Sequence, residues 1–220
     1  MAANTILEFL EQLKENNNRN WFHENKVRYE ANLKEPFRNF VKDLIKGLQK
    51  LEPLIQIEPG DAIFRINRDT RFSADKSPYK TNVGALISRY GKKNKIFPGF
   101  YFHLEPGSMM IGGGAYFLDK AGIENIRSAI YEQPEHWQGI IEDKKFREYF
   151  DGILGERNKR LPADYKSLEE LYPEIANKQF YFSATYPASK FTEPEVLSFV
   201  LAHFEAALPV NDFLAKALAP

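Results

Sequence analysis

Apolar residues recur at Ile6, Leu7, Leu10 and Leu13, the spacing of one helical face. This predicts an N-terminal helix that stops in Asn16-Asn17-Asn18, where asparagine tolerates a left-handed turn. Asn20 is placed to cap a second helix entering through Trp21 and Phe22, with Trp21 as its buried anchor. The strongest helical stripe follows: Phe37, Phe40, Val41, Leu44, Ile45, Leu48 and Leu51, with Pro36 in the first turn, where its missing N–H is not needed.

From Ala62 the period shortens to two. Short β-type runs over 62–67, 83–89, 97–105 and 109–116 predict an antiparallel meander. Glu105-Pro106-Gly107-Ser108 reads as a type II turn, and 90–95 as a polar hairpin loop. Ile123, Ile126 and Ile130 predict a helix capped by Asp119, and Pro134 and Asp143 open two short ones. A late strand is expected over 180–185, then a helix starting at Thr192 with Val196, Leu197, Val200, Leu201 and Phe204 buried and Pro209 as its end. The reading is one α+β domain over 1–220, a mainly antiparallel sheet of about five strands, with helical sections at 1–52 and 192–220.

Composition narrows the classes. A chain of 220 residues with no cysteine excludes disulfides and thiolate chemistry and fits a cytoplasmic setting. The longest uncharged run, Pro106 to Leu118, is short of the ~20 residues a membrane helix needs, and the acidic Glu8 and Glu11 argue against a leader peptide, so no membrane partner is expected. Thirty basic residues balance thirty acidic ones, yet Asp61 to Lys95 holds nine basic against three acidic, a local +6. This disfavours a globally basic nucleic-acid binder and leaves a local anion site open.

The charge concentrates in FRINRDTRFSADKSPYKTN, residues 64–82. Alternation puts Phe64 and Ile66 on one face and Arg65 and Asn67 on the other. Arginine forks bind phosphate or carboxylate through paired hydrogen bonds, so Arg65, Arg68 and Arg71 are candidate ligand contacts, with Lys76, Lys80 and Asn82 beside them. Pro78 stiffens the approach to Tyr79. Asp69 and Tyr79 are candidate acids or bases. So is His103, on one strand face with Tyr101 and Glu105, should that face meet the one carrying Arg65 and Asn67.

The segment reads R-x-x-R-D-x-R-F-x-x-x-K-x-P-Y-K-T-N over 65–82, and in this it resembles the signature of an uncharacterised, largely bacterial family, domain of unknown function 2461. The likeness runs from Leu7-Glu8-Phe9-Leu10, Asn16-Asn17 and Trp21-Phe22 to the glycines before Tyr116. It supports the weight given to 65–82 and implies no reaction.

Three readings follow. The first is a site for a phosphate- or carboxylate-bearing small molecule on 65–82, an enzyme or a binding protein. The second is a nucleic-acid surface in which Phe72, Tyr79 or Tyr90 stacks on bases. The third is an interaction module whose Arg/Asp network is purely structural. His23, His136 and His203 have no second ligand at metal spacing, so neither a metal site nor a cofactor is expected. Gly112-Gly113-Gly114 inside a strand marks a bulge or close backbone approach, and Asn16 to Asn18 could supply an amide contact to the basic loop.

Overall fold

The computed structural model describes residues 2–71 and 73–219, with side chains from residue 4 onward. Phe72 lies outside the described residues. The fold is α+β: one antiparallel sheet in the order β1 (Val83–Ile87), β2 (Gly99–Glu105), β3 (Ser108–Ala115) and β4 (Phe180–Pro187), flanked by helices. The chain forms two compact units: Met1–Lys92, Tyr101–Met110 and Thr185–Leu201 make unit 1, and Lys93–Phe100, Ile111–Ala184 and Ala202–Pro220 make unit 2.

Unit 1 opens with α1 (Ala2–Glu15), whose Ile6, Phe9, Leu10 and Leu13 are buried. The cap of α2 (Arg19–Glu24) is Asn18 rather than Asn20: Trp21 N–H donates to Asn18 Oδ1 at 2.9 Å. Phe22, not the half-buried Trp21, is the buried anchor. A three-residue turn, Lys26–Arg28, leads through the π-helical segment Tyr29–Lys34 into α3 (Glu35–Gln49). Pro36 therefore lies in continuous helix, where it offers no N–H to Asn32 four residues back. Thr5 Oγ1 donates to that Asn32 carbonyl at 3.0 Å. Phe40 of α3 packs on Phe102 and Phe191, each at 5.0 Å between ring centres, so α3 covers one face of β2.

The expected fifth strand, 62–67, is absent. Ala62 ends a helical turn, Pro59–Ala62, and the segment beyond pairs in strand fashion only at isolated bridges, Ile63 with Ala85 and Asn67 with Tyr79. Between those bridges one arm takes four steps and the other six, so the arm carrying Thr81 and Asn82 bulges and no ladder can form. The remaining strands agree with the sequence to within a few residues.

In unit 2, α4 (Lys120–Glu132) is capped by Asp119, which accepts from Gly122 N–H at 2.7 Å. α5 (Pro134–Ile141) and α6 (Lys144–Tyr149) follow, and Phe146, Phe150 and Phe182 form a ring cluster. The C-terminal helix α7 spans Val196–Ala217, starting four residues after Thr192 and passing through Pro209. Pro209 and Glu205, whose carbonyl loses its helical donor, are both exposed, so water can replace that bond. Phe204, Ala207, Val210 and Leu214 are wholly buried, and this packing overrides the local stop signal. By length and composition α7 is apolar enough to cross a membrane, but those residues make its part from Ala202 onward a core element of unit 2.

Candidate functional site

The signature folds as a pinched loop in unit 1. Lys80 N–H donates to Ile66 O at 2.8 Å and Arg68 N–H to Pro78 O at 2.9 Å, which pairs the two arms. Pro78 has no N–H to return, and the pairing ends there. Asn17 then holds the second arm as a strand would: its Nδ2 donates to Tyr79 O at 2.9 Å, and Tyr79 N–H donates to its Oδ1 at 3.1 Å. Phe22 stacks on the buried Tyr79 at 4.0 Å, with planes 16° apart. The amide contact expected from the Asn16 to Asn18 corner is thus made by Asn17, to backbone.

Removing that amide is expected to be expensive. Asn17→Ala leaves a half-buried N–H and C=O without partners, a loss of about 2 kcal/mol. The melting temperature should fall by roughly 5 °C for a chain of this size. Asn17→Asp keeps the acceptor and loses the donor, and should recover about half of the loss. Thermal melts of the three proteins check this order.

The loop's tip closes on itself. Arg71 grips Asp69 with two bonds, Nε to Oδ1 at 3.0 Å and Nη2 to Oδ2 at 2.7 Å. Arg68 Nη1 donates to Asp75 Oδ2, Ser77 N–H caps Asp75 Oδ1 at 2.8 Å, and Lys76 Nζ donates to Thr70 O at 2.9 Å. The side-chain and backbone bonds from Arg71 hold Asp69 down at about 2, so it remains a carboxylate and a poor base near neutrality. The pairs are exposed, 76% for Arg71 and 43% for Asp69, which limits their contribution to stability.

Two of the three signature arginines are thus engaged within the loop. Arg68 and Arg71 serve aspartates of their own loop, while Arg65 is exposed and has no side-chain hydrogen bond or ion pair among the described residues. Asn67 is exposed and Asn82 half-buried in the bulge. Tyr79, beneath Phe22, has no open face for a base to stack on from that side.

Lys80 is the cation that reaches the sheet. Opposite Ile66, it lies with Nζ 5.7 Å from the Phe64 ring centre, and Phe64 is 6.3 Å from Tyr101 of β2. The face meeting β2 thus carries Phe64, Ile66 and Lys80, and Arg65 and Asn67 point elsewhere. Strand alternation lines Tyr101, His103 and Glu105 along β2: Tyr101 Oη is 3.0 Å from His103 Nδ1, and His103 Nε2 is 3.7 Å from Glu105 Oε2. Ser108 Oγ donates to Glu105 Oε1 at 3.0 Å. Gly84 of β1 leaves room for this row, since a Cβ there would be 3.2 Å from Tyr101 Oη.

The electrostatics of the row are set by burial. The His103 side chain is only 15% exposed, and desolvation lowers its pKa. Glu105 pulls the other way, and the charge on Lys80 adds to the lowering. Burial, with Glu105 beside it, raises the Tyr101 phenol, which stays neutral. Among the described residues no group of three His, Asp or Glu side chains gathers at metal-binding spacing.

Alternation found the Tyr101, His103 and Glu105 face, but no pattern in the sequence showed that Lys80, rather than the arginines, would meet it. Nor did any signal point to a cleft of about 560 Å³ in unit 2, lined among others by Ser128, Glu132, His136, Asp212 and Lys216. No signature residue lines that cleft. Neither a curated protein nor a solved structure matches the chain. The family described as Conserved hypothetical protein (DUF2461) matches residues 5–213.

Proposed function

The chain belongs to the DUF2461 family, and from that premise we propose that it binds a small phosphate- or carboxylate-bearing molecule on the signature loop, seated between Lys80 and the Tyr101–His103 row. What carries this reading is the placement of Lys80. Its arm is clasped by Asn17, and its ammonium lies against Phe64 beside a buried imidazole. A fixed cation next to hydrogen-bonding groups in a half-dry setting favours an anion over water. Arg65, exposed on the same arm pair, is the second cation available to the ligand, and Asn82 offers an amide from the bulge. Arg68, Arg71 and Lys76 shape the loop in this reading, through Asp75, Asp69 and Thr70. A cytoplasmic bacterial setting fits a cysteine-free chain that recognises such a metabolite.

The closed Arg68–Asp75 and Arg71–Asp69 pairs support a second reading, in which the loop is only a structural brace for an interaction module. Titration calorimetry with sulfate, a non-titrating stand-in for phosphate, at low ionic strength separates the two. Sulfate should bind, Lys80→Met should weaken it at least about tenfold through loss of a charge-assisted contact, and Arg71→Ala should leave it within about twofold. Absence of sulfate binding, or equal binding by Lys80→Met and the unaltered protein, overturns the proposal in favour of the brace.

A further inference from the structure

His103 is held by a group that can serve either of its protonation states. A tyrosine hydroxyl both donates and accepts. With His103 neutral, Tyr101 Oη–H donates to Nδ1, and the ring proton on Nε2 points towards Glu105. With His103 protonated, the same hydroxyl rotates and accepts from Nδ1–H, while Glu105 faces a full cation at Nε2. Neither state leaves a ring nitrogen without a partner, so the geometry does not commit the imidazole to one charge.

Burial does commit it when the seat is empty, against the pull of Glu105. The charged groups acting on His103 among the described residues are Glu105 on its own strand and Lys80 from the signature loop; Tyr101 is the neutral titratable neighbour. Glu105 is 44% exposed and shares its other oxygen with Ser108, which dilutes its pull. Burial, with a smaller contribution from Lys80, holds the ring below the ordinary histidine value. An anion docked on Lys80 cancels the repulsion from that side and places a second negative group near the imidazole. The balance then favours the imidazolium.

We propose, resting on the anion-binding reading above, that His103 is the acid–base group of the seat and that an anion binds together with one proton, taken from solvent onto the imidazole as Tyr101 turns from donor to acceptor. The imidazolium then balances one negative charge of the ligand. The proton enters at Nδ1, against Tyr101 Oη, and Nε2 faces Glu105, so it is the positive charge of the imidazolium that acts on the bound anion. The chemical class this favours is a phosphate monoester or carboxylate bound as its fully ionised anion, with the protonated imidazole supplying a compensating positive charge.

The sign of the pH dependence follows. The free His103 titrates below the ordinary histidine value of about 6.5, and the anion raises it. Affinity should therefore rise as pH falls through the interval between the bound and free values, by up to about tenfold per pH unit, and level off below the free value.

The test is sulfate titration calorimetry near pH 7 in two buffers of different ionisation enthalpy, repeated with His103→Gln and Tyr101→Phe. Sulfate exchanges no proton near neutrality, so an enthalpy that differs between buffers reports proton uptake by the protein. Uptake approaching one proton, lost in His103→Gln together with the pH dependence of affinity, supports the proposal. Tyr101→Phe should weaken sulfate binding several-fold in the interval between the free and bound values and little well above or below it. Sulfate that binds with the same enthalpy in both buffers overturns the proton coupling and leaves the anion site standing. Uptake that persists in His103→Gln also overturns it, since a group other than His103 would then take up the proton. Failure of sulfate to bind at all overturns the anion-binding reading itself.

Discussion

Gly114→Ala is expected to destabilise the protein by about 4 kcal/mol and lower its melting temperature by roughly 10 °C. Two independent strains add at this position. Gly114 has φ +97°, a backbone region that side-chain-bearing residues rarely adopt. A Cβ there would also stand 2.3 Å from Phe180 O and 2.7 Å from Tyr181 Cα. Both are backbone atoms of β4, so relief requires displacing a strand rather than turning a side chain. Gly107→Ala is the control, because its φ is +96° and nothing lies within 4 Å of the added carbon. It should cost about 1 kcal/mol, the backbone strain alone. Equal losses for the two variants would sink the claim that close strand approach explains the glycine run.

That run shows which features were legible before any coordinates. Three consecutive glycines in an apolar strand imply a missing volume requirement, and the volume is occupied: added Cβ atoms at Gly112 and Gly113 would meet Phe182 O at 2.4 Å and Gly99 O at 2.5 Å. Helices that bury one stripe, such as α1 and α3, were readable for a related reason, since their periodicity is imposed by the core they face. Alternation in β2 likewise delivered Tyr101, His103 and Glu105 on one face. Each of these signals is local.

What was not legible depends on partners distant in sequence. Phe64 and Ile66 alternate as a strand would, but the two-residue excess in the opposing arm prevents a ladder, and nothing in 62–67 encodes it. Pro209 is a valid stop signal that loses to the buried residues on either side of it. Sequence gives the signature arginines charge without direction, which leaves ligand contacts and an Arg/Asp network equally open; Arg68 and Arg71 pair with Asp75 and Asp69 of their own loop. Lys80 carries the same charge as its neighbours and differs only in facing β2, a consequence of the stem register set at Ile66 and Pro78.

The arginine that matters most to stability lies outside the basic segment. Arg127→Leu is expected to cost about 3 kcal/mol and roughly 8 °C in melting temperature. Arg127 is 6% exposed, and its guanidinium caps the end of the turn Pro173–Ala176. Nε donates to Ile175 O at 2.8 Å, and Nη2 to Asn177 O at 3.2 Å and Ala176 O at 3.5 Å. Leucine matches much of the volume but leaves these buried carbonyls without donors, each worth about 1–3 kcal/mol when fully enclosed. Arg127→Lys should recover less than half of the loss, because one ammonium cannot reproduce a planar fork spread over successive carbonyls. The position had a weak sequence signal, since Arg127 stands four residues after Ile123 and three before Ile130, on the apolar stripe of α4. Burial lowers its pKa, yet a guanidinium remains charged, so its contribution should not vary across neutral pH. Chemical denaturation of Arg127→Leu and Arg127→Lys measures both differences. A loss below about 1 kcal/mol for the leucine variant would show that water, not Arg127, satisfies the turn.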